Sequence, residues 1–256
     1  MLKSLASAFL MYSRIPMPRI EWKEENRRYA LGFFPLVGAA QGVLLELWRN
    51  ICNWLGMPAL LFAVGAVILP VAVNGGIHLD GYCDVTDARA SYAEKARRLE
   101  ILKDPHIGSF AVIRLTLYLL AQTALLTQID SVRKTVLIAC SFVLSRALSG
   151  FSAVTFRAAK KDGTLQSFVR PSHRRITIGM TAFFGIFAAA GMLLCQPISG
   201  AAAILTTAVV FLYYRQVAYR DFGGITGDLC GWYLQLCEIG CLAAAVVSQK
   251  IWEVLV

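Results

Sequence analysis

Apolar residues run along this chain in blocks too long and too unbroken to be the buried stripes of ordinary amphipathic helices. Seven blocks, at about 31–52, 57–79, 108–129, 135–157, 175–196, 198–219 and 229–249, each approach the roughly 20 residues an α-helix needs to cross a bilayer. None alternates with period two, and a hydrocarbon core admits only helices or closed barrels. The pattern therefore predicts an all-α, polytopic membrane bundle of about seven transmembrane helices. Only Gln196-Pro197-Ile198 separates the fifth block from the sixth, which predicts a tight hairpin. Residues 1–30 are amphipathic and basic, and Arg14-Ile15-Pro16-Met17-Pro18 breaks any helix there. They read as an interfacial segment on the membrane surface.

Composition agrees. Of 256 residues 57% are hydrophobic and 16% charged, where soluble domains carry about 25% charged residues. Mean hydropathy is +0.59. No repeat, low-complexity tract or linker divides the chain, so one membrane-embedded domain, 1–256, is expected. The first apolar run, Leu5 to Tyr12, is too short for the core of a cleavable signal peptide. Seven scattered cysteines form no CxxC pair and indicate neither a disulfide framework nor a zinc site. The net charge of +9 would suit nucleic acid, but its distribution points to a membrane. Residues 1–30, the loops 80–107 and 157–175 and the connection after Tyr214 hold nineteen Lys and Arg, whereas the opposite connections hold Arg49, Arg133, Lys134 and Lys250. By the positive-inside rule the N-terminus and these loops face the cytoplasm of a cell inner membrane, and the C-terminus lies outside.

The candidate chemistry sits on that basic side. Asp80, Asp84 and Asp87 are spaced i, i+4 and i+7, which on a helix sets three carboxylates on one face. Such charges repel unless a cation lies between them, and clustered hard oxygens suit Mg²⁺, Mn²⁺ or Ca²⁺. A solvated acidic helix end is the bland alternative. Asp104 follows in the same polar stretch as a further ligand or a base. Before the last block, Gly223-Gly224-Ile225-Thr226-Gly227-Asp228 offers glycines and a helix N-terminus to a phosphate, or else a simple capping turn with Thr226 or Asp228 as the cap. His78, beside Asp80, is a candidate proton acceptor or orienter of the carboxylates, or else a hydrogen-bonded interfacial histidine. Glu46 and Arg49 read as a local ion pair. Arg146 and Glu238 fall near mid-depth of their blocks, where an unpaired charge is costly. Mutual pairing is the economical expectation, and direct contact of Arg146 with substrate phosphate the competing one. No Ser-His-Asp or Cys-His set, Walker loop or Rossmann fingerprint is present.

His78-Leu79-Asp80-Gly81-Tyr82-Cys83-Asp84-Val85-Thr86-Asp87 resembles the HLDGLADTxDG signature of the cobalamin synthases, the adenosylcobinamide-GDP ribazoletransferases. Lys103 to Phe110 is similar to that family's DSRIGTFG, and Ser13 to Pro18 and Gly223 to Asp228 agree in order. Departures are Ala88 for Gly, His106 for Arg, and Gln235 for a frequent Glu. The resemblance implies attack by the 5′-hydroxyl of α-ribazole, or of its 5′-phosphate, on adenosylcobinamide-GDP, with GMP leaving. It also implies Mg²⁺ on Asp80, Asp84, Asp87 and Asp228, with Asp104 and His78 in catalysis. Gly223, Gly224, Thr226, Gly227 and Arg146 would serve the phosphates. The expected partners are these substrates and the lipid bilayer, with a homo-oligomer left open and no nucleic acid. Two other classes compete with this reading. A CDP-alcohol phosphotransferase of lipid headgroups would need Gly after the second Asp of DxxD, where Ala88 stands. A cation transporter would set its aspartates near mid-membrane rather than at a helix end.

Overall fold

The computed structural model describes residues 1–160 and 163–255; Lys161 and Asp162, counted above in the basic loop 157–175, lie outside the described residues. Among the described residues there are twelve helices and no strand: α1 Leu2–Tyr12, α2 Glu24–Arg27, α3 Ala30–Trp54, α4 Ala59–Asn74, α5 Ile77–Ala90, α6 Lys95–Ile101, α7 Ser109–Leu126, α8 Val132–Thr155, α9 Thr164–Val169, α10 Arg174–Cys195, α11 Pro197–Asp221 and α12 Gly227–Leu255. Helices α3, α7, α8, α10, α11 and α12 are each long and apolar enough to cross a membrane, and the bent pair α4 and α5 makes a seventh candidate when taken as one span.

That seventh crossing departs from the expectation of a straight span over 57–79. Helix α4 ends at Asn74, and the chain turns by 94° into α5. Gly75 and Gly76 make the turn with φ of 68° and 83°, a left-handed backbone that only glycine adopts without strain. The Asn74 side-chain oxygen accepts from the Gly76 N–H at 2.8 Å. Helix α5 has 14 residues and carries the three aspartates, so it is too short and too polar to be a span of its own. It runs nearly perpendicular to α4 and packs on α12. The backbone N–H of Arg14 donates to the Val73 carbonyl at 2.6 Å, so the Ser13–Pro18 stretch after α1 is fastened to the same turn.

Helices α8 and α12 form the centre of the bundle, flanked by α3, α10, α11 and α5. Close approach depends on small residues, as it does where lipid supplies no hydrophobic drive between helices. A Cβ on Gly38 would strike the Phe142 carbonyl, and one on Gly42 would lie 2.6 Å from the Ala139 Cβ, so α3 and α8 touch along their backbones. Leu117 and Leu120 on α7, Phe183, Ile186 and Phe187 on α10, and Leu205, Val209 and Leu212 on α11 are exposed. That apolar belt is what hydrocarbon contact requires. The hairpin at Gln196 is as expected, with α10 ending at Cys195 and α11 starting on Pro197.

The two mid-depth charges find each other. Arg146 Nη1 lies 2.6 Å from Glu238 Oε1, with side chains 1% and 4% exposed. Nearer the opposite face, Glu46 pairs with Arg49 at 2.6 Å.

Candidate active site

Helix α5 crosses the start of α12 where neither can carry a side chain. A Cβ on Gly81 would come within 2.7 Å of the Asp228 carbonyl oxygen, and one on Gly231 within 3.2 Å of His78 Cα. This crossing brings Asp228, from the end of the chain, to the aspartates of α5. Burial first, then the charges of Asp80, Asp228 and Asp87, pushes the Asp84 carboxyl up to about 7. Asp80 is exposed, while Asp84, Asp87 and Asp228 are half-buried. Among the described residues no three His, Cys, Asp or Glu side chains already converge on one point. Mg²⁺ does not require that, because it keeps several waters and binds through one or two carboxylates plus substrate phosphates. A half-buried carboxyl raised by burial and by three neighbouring acids fits such an ion, which would offset their charge.

Asp87 has a second duty that its spacing did not reveal. Its two oxygens accept the backbone N–H groups of Gly108, at 2.5 Å, and Ala111, at 2.9 Å. It thus caps α7 from a distance of 21 residues in sequence, satisfying two donors that a helix start leaves free. A Cβ on Gly108 would meet both Asp87 oxygens at 2.7 Å, which accounts for the glycine in this copy of the IGSF motif.

Asp104 is not brought to the cluster. Its Oδ1 accepts the His106 N–H at 3.0 Å and lies 2.8 Å from His106 Nδ1. These bonds, together with Arg97 nearby, hold the exposed carboxyl below its ordinary range. His78 is buried, and its Nε2 has no partner. Burial, with the Arg146 charge behind it, pushes the imidazole down to about 3. So neutral a ring is a weak proton acceptor near neutral pH.

The glycine turn divides its labour. Gly224 has φ 159°, and a Cβ there would collide with the backbone of Ala158 and Ala159 at 2.6 Å. Its bareness lets Ile225 pair with 157–159: Ile225 N–H donates to Arg157 O, and Ala159 N–H to Ile225 O, each at 2.9 Å. The Gly223 carbonyl accepts from Arg157 Nε at 3.2 Å. Thr226 is the N-cap of α12, its Oγ1 accepting the Leu229 N–H at 3.2 Å. Of the four residues proposed from sequence to serve phosphates here, Gly223 and Gly227 have open space beside them, Thr226 caps α12 and Gly224 shapes the turn. Arg146, the fifth, is committed to Glu238.

Two cavities meet at Gly227 and Asp228. One, of about 270 Å³, has apolar walls that include Tyr12, Phe34 and Phe168, with His78 and Asp80 at its polar end. The other, of about 240 Å³, is lined by Lys103, Lys160, Gln166 and Thr226. Lys160 Nζ donates to the Leu99 carbonyl at 2.9 Å, and burial followed by the Lys103 charge lowers its pKa. In the sequence both lysines belong to the basic loops, which set orientation and would also draw an anionic substrate or anionic headgroups; their position beside Asp104 and in the 157–175 loop was the available signal. Sequence reasoning passed over Asp221, which is buried at the end of α11 with Arg220 at 2.8 Å, Arg98 at 3.1 Å and Arg89 at 3.3 Å. Arg89 on α5 and Arg98 on α6 are thereby anchored to α11.

Fold and site together define a multi-pass helical membrane protein with a carboxylate cluster and paired cavities at one end of the bundle. The family model described as cobalamin-5-phosphate synthase matches residues 4–246. Over 251 residues the chain is 42% identical to an adenosylcobinamide-GDP ribazoletransferase of Lachnoclostridium phytofermentans, covering 98% of this chain and 95% of that protein. It is 34% identical over 242 residues to the protein of that name from Pseudomonas fluorescens, covering 93% of this chain and 96% of that one. A Clostridium perfringens relative of the same name is 26% identical over 249 residues. No solved structure matches. The chain belongs to the cobalamin-5-phosphate synthase family, and with it to the transferases of cobalamin synthesis.

Proposed function

We propose that this protein transfers the adenosylcobinamide phosphate group from adenosylcobinamide-GDP to the 5′-hydroxyl of α-ribazole or α-ribazole 5′-phosphate, releasing GMP. The observation that carries it is the crossing at Gly81 and Gly231, which sets Asp228, a residue lining both cavities, against the carboxylates of Asp80 and Asp84. The relatives' shared name supplies the substrates. A corrinoid is far too large for a cavity of about 270 Å³, so it would remain at the mouth while the smaller substrate parts enter.

In this scheme the 5′-oxygen bonds to the phosphorus next to cobinamide. The bond from that phosphorus to the bridging oxygen breaks, and its electron pair leaves on GMP. Mg²⁺, when bound, would neutralise phosphate charge. Asp80, Asp84 and Asp228 would hold it, with Asp87 contributing through the lone pairs that α7 leaves free. The hydroxyl proton would pass to a carboxylate oxygen of the cluster that the ion leaves free. Asp104 would need to swing its loop inward to receive it. His78 is buried at the polar end of the apolar cavity beside Asp80. The mid-depth acid, Glu238, is paired, so a cation pathway through the bundle finds no free carboxylate there. Loops 80–107 and 157–175, and the N-terminus, would face the cytoplasm, by the distribution of Lys and Arg.

The test is to incubate the purified protein in liposomes with Mg²⁺, adenosylcobinamide-GDP and α-ribazole, and to measure GMP. Release that depends on both organic substrates and stops in EDTA is expected. Release without α-ribazole, or none with any acceptor, would overturn the assignment.

A further inference from the structure

Asp228 stands between two cavities of opposite character. The apolar one presents carboxylates and a neutral imidazole at its polar end, so an anionic leaving group is disfavoured there. The other presents Lys103 and Lys160. Among the described residues neither lysine makes an ion pair, and the two are close enough for the charge of one to depress the other. Both lysines line this cavity, with Asp228 only at the rim it shares with the apolar one, and two neighbouring ammonium groups favour an anion. The floor is built of polar backbone and side chain: Thr226 caps α12 and Gly227 carries no Cβ, so the phosphate can approach the helix start. A phosphorus atom at Asp228 is reachable from both cavities, which places an attacking group on one side and a departing group on the other.

We propose that the lysine cavity is the subsite of the guanylate leaving group, with Lys103 and Lys160 as the cations that receive its phosphate. The acceptor nucleoside then approaches from the apolar cavity. This rests on the transferase activity proposed above. The lysines do not exchange protons in the step; they offset the charge that arrives on GMP as the bridging bond breaks.

GMP binding to the purified protein, measured by isothermal titration, tests it without turnover. Each of Lys103→Ala and Lys160→Ala should weaken GMP binding by roughly 10-fold or more, the ordinary worth of a charge-assisted hydrogen bond. The KM for adenosylcobinamide-GDP should rise in parallel and the KM for α-ribazole stay level. Lys160→Arg should recover most of the loss. Lys160 also holds the Leu99 carbonyl, so Lys160→Ala is open to a folding defect. Lys103 is exposed, and its variant decides the matter if Lys160→Ala fails to fold. Unchanged GMP affinity in Lys103→Ala would overturn the proposal. So would a loss confined to α-ribazole 5′-phosphate, because the lysines would then serve the acceptor's phosphate. If the wild type neither turns over nor binds GMP, the transferase reading itself fails.

Discussion

The Arg146–Glu238 pair gives the sharpest test of how this bundle is held together. Arg146 Nη1 also donates to the Phe142 carbonyl at 3.0 Å, and its guanidinium carbon lies 5.9 Å from the Phe34 ring and 5.7 Å from the Phe142 ring. Glu238 Oε1 further accepts from Ser145 Oγ at 3.3 Å. Removing one partner of a buried pair costs about 3–5 kcal/mol. At about 2–4 °C per kcal/mol for a chain of this size, that is a fall of ~6–20 °C in Tm. The two single variants should not be equal. Arg146→Met leaves a carboxyl that can take up a proton, whereas Glu238→Leu leaves a guanidinium that cannot lose one. Glu238→Leu should therefore lie toward the upper end. The double variant removes both charges, and Ser145 Oγ keeps the Phe142 carbonyl at 3.1 Å. Replacing a whole buried pair by apolar groups is often neutral or stabilising, so the double variant should regain most of the lost Tm. Thermal unfolding in one detergent, followed by intrinsic fluorescence, reads all four proteins. If the double variant falls by the sum of the singles, the two charges act independently. If Arg146→Met keeps its Tm while the KM for adenosylcobinamide-GDP rises, Arg146 binds substrate and the pairing is not its purpose.

Other outcomes follow from the site. Asp87→Asn keeps the shape but turns an amide NH₂ toward one of two backbone N–H donors, so it should destabilise by about 1–3 kcal/mol with or without Mg²⁺. Asp80→Asn, at an exposed position, should leave Tm unchanged, and equal Tm values for the two variants would refute the capping role. In EDTA the raised Asp84 makes the folded state bind a proton that the unfolded chain, at its ordinary carboxyl pKa of 3.8, has already lost. Stability should accordingly fall as pH rises from about 4 to about 7 and level off above, and Asp84→Asn should flatten that slope in a Tm-versus-pH series. A cysteine at Ser91, in a Cys-free background, should resist an impermeant maleimide in intact cells and react in inverted vesicles, and labelling in intact cells would reverse the orientation.

What the sequence disclosed and what it withheld divide along a physical line. Hydrocarbon admits one backbone solution, so the blocks of apolar residues located the spans. It also leaves a charge few partners, so Arg146 and Glu238 could be matched across 92 residues by depth alone. The break at Gly75–Gly76 was hidden for the converse reason: Ile77 and Leu79 continue the apolar run past the turn, and hydropathy does not register backbone hand. At the polar face the constraint relaxes, because each carboxylate has many eligible partners there. The spacing of Asp80, Asp84 and Asp87 placed them on one helix face, since that is local geometry. That Asp87 would spend both oxygens on α7, that Asp104 would turn to His106, and that Lys160 would meet Lys103 depended on how loops fold back, which no periodicity encodes. Asp228 lies between these cases. Its glycine turn was visible, but its approach to Asp84 needed Gly81 and Gly231 to coincide at one crossing. A methyl group at Gly81 would lie 2.7 Å from the Asp228 carbonyl oxygen and force that end of α12 off α5, moving Asp228 away from the other carboxylates, so Gly81→Ala should cost turnover and Mg²⁺ dependence together while the carboxylates themselves remain intact.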